Sequence, residues 1–433
     1  MTRSLAPALL AFTALLQVAC GQPRPPEEGK APPRVLTIPP APPSTSPAPE
    51  REAHLRLTAR LGGYPPRFFP AAGLVHPCPT QHWACRLEAD GSVTPANDYA
   101  RFANEVDAFG GRIIHHHGSW PQRAWMAARL GPFAGDPEML DAFLEWTDAG
   151  WTRKLEYEGY VHVGMGPWVG DRLIAPIVYV EIVSDSQTGD SIRKFIEPPK
   201  FVILSGPPSN DLPLLTPDPT FEPQVFASLP SGHAFLAGDR LEKDGRETYV
   251  QRWTPGDRRS KEDLLKGFFM PMETSGLERV DPAKIMLAFA PDDVYIAGSF
   301  SPSEGELNAA FAHYNGRAWN VSSLPTSLYA STRKVMTMAR GPDGVMWFVC
   351  GDSSRPAGEL WKKAPLGGLE RVDLPEAHAD GGPIEVVPLD VWPRKEREIW
   401  LIAAYRPRGA TKHTTYTHGV FLLEPSARGA APR

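Results

Sequence analysis

The sequence is poor in the features that would assign it quickly. No block of Lys or Arg stands out and the formal net charge is −5, so the basic patch that a nucleic-acid partner needs to neutralise phosphates is missing and that class is excluded. Beyond residue 20 no stretch reaches eighteen apolar residues, which excludes a transmembrane helix in the body. No Gly-x-Ser-x-Gly elbow, phosphate-binding loop or Gly-x-Gly-x-x-Gly fingerprint occurs, and the common nucleophile and nucleotide signatures go with them. Cysteine is scarce: Cys20, Cys78, Cys85 and Cys350 in 433 residues. Cys350 closes the apolar run Trp347-Phe348-Val349 and reads as a small buried residue.

What the chain does have is turns and aromatics. It carries 48 Pro, 38 Gly and 12 Trp against 42% hydrophobic and 22% charged residues, a balance that suits many short strands around a sizeable core.

The first twenty residues are an export signal: Arg3, then a largely apolar stretch from Leu5 to Ala19, too short to span a bilayer. Val18-Ala19-Cys20-Gly21 resembles a bacterial lipobox, although Gln17 stands where that motif usually has Leu. The resemblance implies a lipoprotein lipidated on Cys20, with a membrane anchor and a place in the cell envelope, the outer membrane favoured; simple cleavage and secretion is the alternative. Residues 21–50 hold eleven prolines and almost nothing able to form a core, a disordered tether that could reach roughly 90 Å at about 3.1 Å per residue. Three parts follow: a signal peptide over 1–20, a tether over 21–50 and a folded domain over 51–433. In an oxidising compartment a disulfide between Cys78 and Cys85 is expected, two independent thiols being the other reading.

The body repeats. Val225–Gly238, Ile285–Gly298, Val335–Gly351 and Leu389–Ala403 each read as apolar strand, tight turn, apolar strand, and their ends are 60, 53 and 52 residues apart. Ala310–Pro325 and Leu360–Pro375 supply a second hairpin, Gly276-Leu-Glu-Arg-Val-Asp281 recurs as Gly368–Asp373, and Ser119–Ala128 with Asp141–Leu155 form an earlier copy. Each unit of about 50 residues is therefore four antiparallel strands, which bury both faces only if the sheets stack radially. The repeat, with its Asp343-Gly344-Val345-Met346-Trp347 turn, resembles that of β-propellers over roughly residues 110–425, and implies an all-β propeller of six or seven blades. The last unit ends after His418–Glu424, one strand short, while His54–Leu61 alternates apolar and polar. The N-terminal strand is expected to fill that place and close the ring, a displaced arm being the alternative.

Candidate site residues are few. His115 and His117 share a strand face around His116 and are possible ligand or metal contacts, with no third ligand at a recognisable spacing, so no metal and no cofactor are assigned. His413 and His418, with Tyr416, form a second polar group of possible ligand contacts. Asp292, Asp293 and Asp343 lie in hairpin turns, which Asp favours without any further role, and Glu304 and Glu306 lie in a solvated loop. Trp120, Trp125, Trp151, Trp319, Trp347 and Trp400 recur at repeat positions and read as packing. Residues 205–222 and 299–307 are loops suited to specificity, and 252–266 a charged segment suited to a short helix.

Catalytic residues are unknown at this level. The expected function is a tethered binding or scaffold propeller of the envelope, whether any catalysis occurs being left open, with an envelope protein partner or a glycan, a membrane reached through the lipid only, and no nucleic acid. The alternatives are an extracytoplasmic hydrolase or lyase acting on carbohydrate or peptide, and a ligand-sensing module.

Overall fold

The computed structural model describes residues 53–61, 67–69, 73–76, 85–95, 112–119, 123–130, 140–147, 150–158, 160–162, 168–169, 172–184, 191–195, 200–205, 221–229, 231, 233–242, 245–253, 269–270, 285–300, 308–325, 333–352, 357–395, 398–411 and 414–424. All of them belong to one compact unit that begins at Glu50. Cys20, the tether, Cys78, His413, Glu304 and Glu306 lie outside these residues.

Thirty strands and no helix are present among the described residues. Strand β1 (His54–Leu61) is followed by β2–β5 (Arg67–Phe69, Leu74–His76, Cys85–Leu87, Val93–Pro95) and β6–β9 (Arg112–Ser119, Arg123–Leu130, Leu140–Thr147, Gly150–Glu158). Next come β10–β14 (Tyr160–His162, Trp168–Val169, Arg172–Ser184, Ser191–Phe195, Lys200–Ser205) and β15–β18 (Phe221–Ser228, Ala234–Glu242, Gly245–Trp253, Phe269–Met270). The chain continues through β19–β22 (Ile285–Ala290, Asp293–Phe300, Asn308–Tyr314, Trp319–Ser323) and β23–β26 (Arg333–Arg340, Met346–Asp352, Gly358–Lys363, Leu369–Val372). It ends with β27–β30 (Ala377–Ala379, Gly382–Lys395, Glu398–Pro407, Thr417–Glu424).

These strands form seven sheets, five of them four-stranded meanders in chain order: β2–β5, β6–β9, β15–β18, β19–β22 and β23–β26. The hairpins expected from the repeat are all paired, with Phe226 opposite Leu236, Met286 opposite Ile296, Met338 opposite Phe348 and Val391 opposite Leu401. The segment 160–205, where no repeat is visible, makes an irregular sheet in which the 13-residue β12 pairs with four partners. The helix expected over 252–266 fails at its start: Arg252 and Trp253 pair with Phe235 and Ala234 as the end of β17, and the residues after them lie outside the described set.

The way the sheets stack is written in the second strand of each meander. Ile399–Tyr405 of β29 is buried without interruption, as is Val294–Ala297 of β20 and Trp347–Cys350 of β24, which is the signature of a strand covered on both faces. Successive side chains point to opposite faces. Val294 and Ile296 pack with Phe235, Ala237 and Val250 of the preceding sheet. Tyr295 and Ala297 pack with Phe348 and Cys350 of the following one. Trp347 and Val349 pack in turn with Leu401, Ala403 and Phe421, and Trp400 and Ile402 with Phe68, Val75 and Leu87. The C-terminal sheet is thus pressed between β23–β26 and the first meander, β2–β5, and the fold is all-β and propeller-like.

The N-terminal strand closes it. β1 pairs antiparallel with β30 from His54–Glu424 to Leu61–His418, across one bulge between Leu57 and Ala59, and completes the order β1-β30-β29-β28-β27. Residues 54–61 thus fill the place expected for them. The two edges of this sheet also meet: Arg60 of β1 pairs with Asp380 in the β27–β28 turn. That turn takes Asp380 and Gly381 at φ 52° and 80°, the two left-handed positions of a tight hairpin.

Candidate acid–base site

In a meander the first and third turns lie at one end of the sheet. At that end of β19–β22, four side chains and one from the neighbouring sheet converge. Asp293 and Tyr295 stand two residues apart on β20 and so share a face. His313 of β21 lies directly opposite Tyr295, which makes Asp293 and His313 a diagonal cross-strand pair. Phe289 extends the same face from β19. That face looks toward β23–β26, and from the end of β23 Arg340 reaches across to it.

The polar contacts follow one order. Asp293 Oδ1 lies 2.9 Å from His313 Nε2, and Arg340 donates Nη1–H to Asp293 Oδ2 at 2.6 Å. A carboxylate only accepts, so Nε2 carries the proton in this pair and Nδ1 is the ring's remaining nitrogen. The imidazole is fixed from its face too: Tyr295 stacks on it at 4.1 Å between centroids and 11° between planes. Arg340 lies over the Phe289 ring at 4.5 Å, and Phe289 meets Tyr295 edge-on at 6.1 Å. The side chains of Asp293 and His313 are each 25% exposed, so the pair is ordered by its neighbours yet open to solvent. Burial, and then the negative charge of Asp293, raise the pKa of Tyr295, which keeps its phenol protonated at neutral pH.

A carboxylate-held imidazole whose second nitrogen has no partner among the described residues, with an adjoining phenol and a cation on the carboxylate, can accept and deliver a proton. By residue type alone each member has a bland reading. Asp293 is expected as a turn residue, and instead it opens β20 with both oxygens engaged; Asp292, which does sit in the turn, packs closely against Gly316. The available signal is a departure from the repeat. Tyr295 faces His313 where Trp347 of the next sheet faces Lys362, so an imidazole stands where that sheet has a lysine ion-paired with Glu370.

The candidate residues of the sequence lie on other sheets, and His413 falls outside the described residues. His115 and His117 lie on β6, opposite Ala127 and Trp125. His418 is in β30 of the closing sheet, between Leu61 and Ala404. Cys85 is buried and disulfide-bonded, while Cys78 lies outside the described residues. Cys350 is a free thiol, fully buried, and burial raises its pKa strongly, the reverse of what a nucleophile requires. Trp347 and Trp400 are core residues and Trp319 packs against the core, as their recurrence implied.

No family model matches the chain and no curated protein sequence matches it. Among solved structures it is similar to prolyl oligopeptidase B from Galerina marginata, at 8% identity and a TM-score of 0.41, covering 84% of this chain and 51% of that one. It is also similar to a post-proline cleaving enzyme from Rickettsia typhi, at 10% identity and a TM-score of 0.37, covering 80% and 48%. A polysaccharide lyase, an ulvan lyase, is similar at 10% identity and a TM-score of 0.35, covering 72% and 70%. The chain spans about half the length of the two peptidases it resembles. By their names these neighbours are two peptidases and a polysaccharide lyase, which runs against the expectation of a binding or scaffold module.

Proposed function

We propose that this chain is an extracytoplasmic enzyme, a hydrolase or lyase acting on carbohydrate or peptide, with His313 as its proton-transfer group. The observation that carries the reading is the Asp293–His313 pair with Arg340 on the far carboxylate oxygen and Tyr295 against the ring. Hydrolysis and elimination open alike: Nδ1 takes a proton, from an attacking water in one case and from carbon beside a carbonyl in the other. Asp293 stabilises the imidazolium that forms, and the proton is returned to the departing oxygen or nitrogen. Arg340 holds Asp293 in place, and the protonated Tyr295 phenol serves as a donor rather than a base.

The same proposal takes the seven sheets as seven blades, places a lipid on Cys20 and pairs Cys78 with Cys85. Residues 1–20 support export, and the buried, bonded Cys85 supports the bridge.

The test is a panel of neutral glycans, acidic polysaccharides and proteins, read by new reducing ends, new double bonds and new amino termini. Cleavage that is lost in His313→Gln and Asp293→Asn, with unfolding temperatures unchanged, is the expected result. Cleavage indifferent to both substitutions, or none on any polymer, sinks the reading.

A further inference from the structure

A second site is built on the closing sheet, where β28 begins and β29 ends. There the chain leaves β26 through Leu374-Pro375-Glu376, forms the β27–β28 hairpin, and meets Arg408 just beyond β29. Between these segments lies a cavity of about 350 Å³, with Ile384 as its buried floor, Leu374 and Val386 on its walls, and Glu376, Glu385 and Arg408 at its rim. That volume is at the small end of ligand pockets, which run from about 300 to 1,000 Å³.

The rim is charged in alternation. Arg408 gives Nη1–H to Glu376 Oε1 at 2.8 Å, and Arg406 gives Nε–H to Glu385 Oε2 at 2.8 Å. Arg406 is held from beneath by the Tyr416 ring, 4.6 Å from its guanidinium carbon. Each pair is made with one bond only. Among the described residues nothing takes Glu376 Oε2 or Glu385 Oε1, and Arg408, with five N–H donors, uses one. The side chains of Arg408, Glu376 and Glu385 are 59%, 52% and 45% exposed, so these pairs add little to stability. What they do is hold a cation and two carboxylates around an apolar hollow, with bonding capacity left over.

We propose that this cavity binds a small zwitterion with an apolar body, a hydrophobic amino acid or short peptide with free ends, its carboxylate on Arg408, its ammonium between Glu376 and Glu385, and its side chain over Ile384. Both charges of such a ligand find a fixed partner, and neither end has to shed water without replacement. The site shares no residue with the acid–base cluster and does not depend on the proposed activity.

Calorimetric titration of the full chain with the dipeptide Leu-Leu tests it, beside N-acetyl-leucine amide, which has the same body and no charge. Saturable 1:1 binding of Leu-Leu is expected, weakened at least tenfold in Arg408→Gln and in Glu376→Gln, unchanged in His313→Gln and absent for the blocked compound. Because both substituted side chains are more than half exposed, the variants keep their unfolding temperature, which is checked in parallel. No heat with millimolar Leu-Leu, equal binding of the blocked compound, or full affinity in Arg408→Gln overturns the proposal.

Discussion

Asp390, buried in β28, accepts the backbone N–H of Phe68 at 2.7 Å, joining the closing sheet to the first meander across 322 residues of chain. Its other oxygen accepts the N–H of Val391 at 2.8 Å. The carboxylate therefore satisfies two buried donors at the seam where the ends of the molecule meet. Asp390→Ala would orphan both, at a cost of about 1–3 kcal/mol for each buried group left unpaired. Asp390→Asn keeps an acceptor oxygen and is expected to lose clearly less. Urea unfolding of the two variants beside the parent checks this, and equal stability of Asp390→Ala and the parent would remove Asp390 from the seam.

Gly91 guards the same seam by having no side chain. It takes φ 86°, and a Cβ there would lie 2.5 Å from Trp400 Cη2 and 2.8 Å from Thr58 Cβ. Gly91→Ala meets two penalties, the left-handed backbone at roughly 1–2 kcal/mol and overpacking at roughly 1–3 kcal/mol. Gly381, at φ 80° with nothing within 4 Å of where a methyl would stand, meets only the first. Thermal unfolding should rank the parent above Gly381→Ala and that above Gly91→Ala; the reverse order of the two variants would show that the Trp400 contact yields freely.

Much of this framework is legible in the sequence because hairpins are local. Apolar run, Pro/Asp/Gly turn and apolar run fix strand, turn and strand without any distant information, and the missing fourth strand after Glu424 points to His54–Leu61. The first meander escapes because each of its strands is three residues long, too short for a period to show. Arg252 misleads because a charged stretch looks helical until pairing with Phe235 decides otherwise. The acid–base cluster is hidden for another reason. Its members are 20 and 47 residues apart and come from two sheets, so only radial stacking reveals that a turn aspartate, a strand histidine and a strand-end arginine touch.

Acid should expose the role of Glu398. It accepts Trp400 Nε1–H at 3.0 Å and pairs with Lys395 at 2.6 Å. Burial alone pushes its carboxyl up, but the hydrogen bonds from Lys395 and Trp400 and the charges of Lys395 and Arg394 together hold it below the ordinary 4.5. A carboxyl depressed in the folded state contributes stability above its unfolded value and loses it as pH falls through the folded value. Glu398→Gln should thus lower the unfolding temperature at pH 7, with the gap to the parent shrinking as the pH drops below about 4.5. A gap that is constant with pH would mean that the charge of Glu398 contributes nothing.

Arg340 offers the sharpest separation of chemistry from architecture, because it touches the proposed base only through Asp293. Its bond to Asp293 Oδ2 is charge-assisted and its guanidinium rests on Phe289, so the position of the carboxylate depends on it. On the polymer that the protein cleaves, Arg340→Gln is expected to lower kcat about tenfold to a hundredfold, the equivalent of one charge-assisted hydrogen bond of about 1.5–3 kcal/mol, with KM nearly unchanged. Arg340→Lys, which keeps the charge but not the planar fork, should recover part of the loss. A structural role alone would instead lower stability and leave kcat per folded molecule intact. A rise in KM with kcat preserved would mean that Arg340 binds substrate directly, and would remove it from the Asp293–His313 relay.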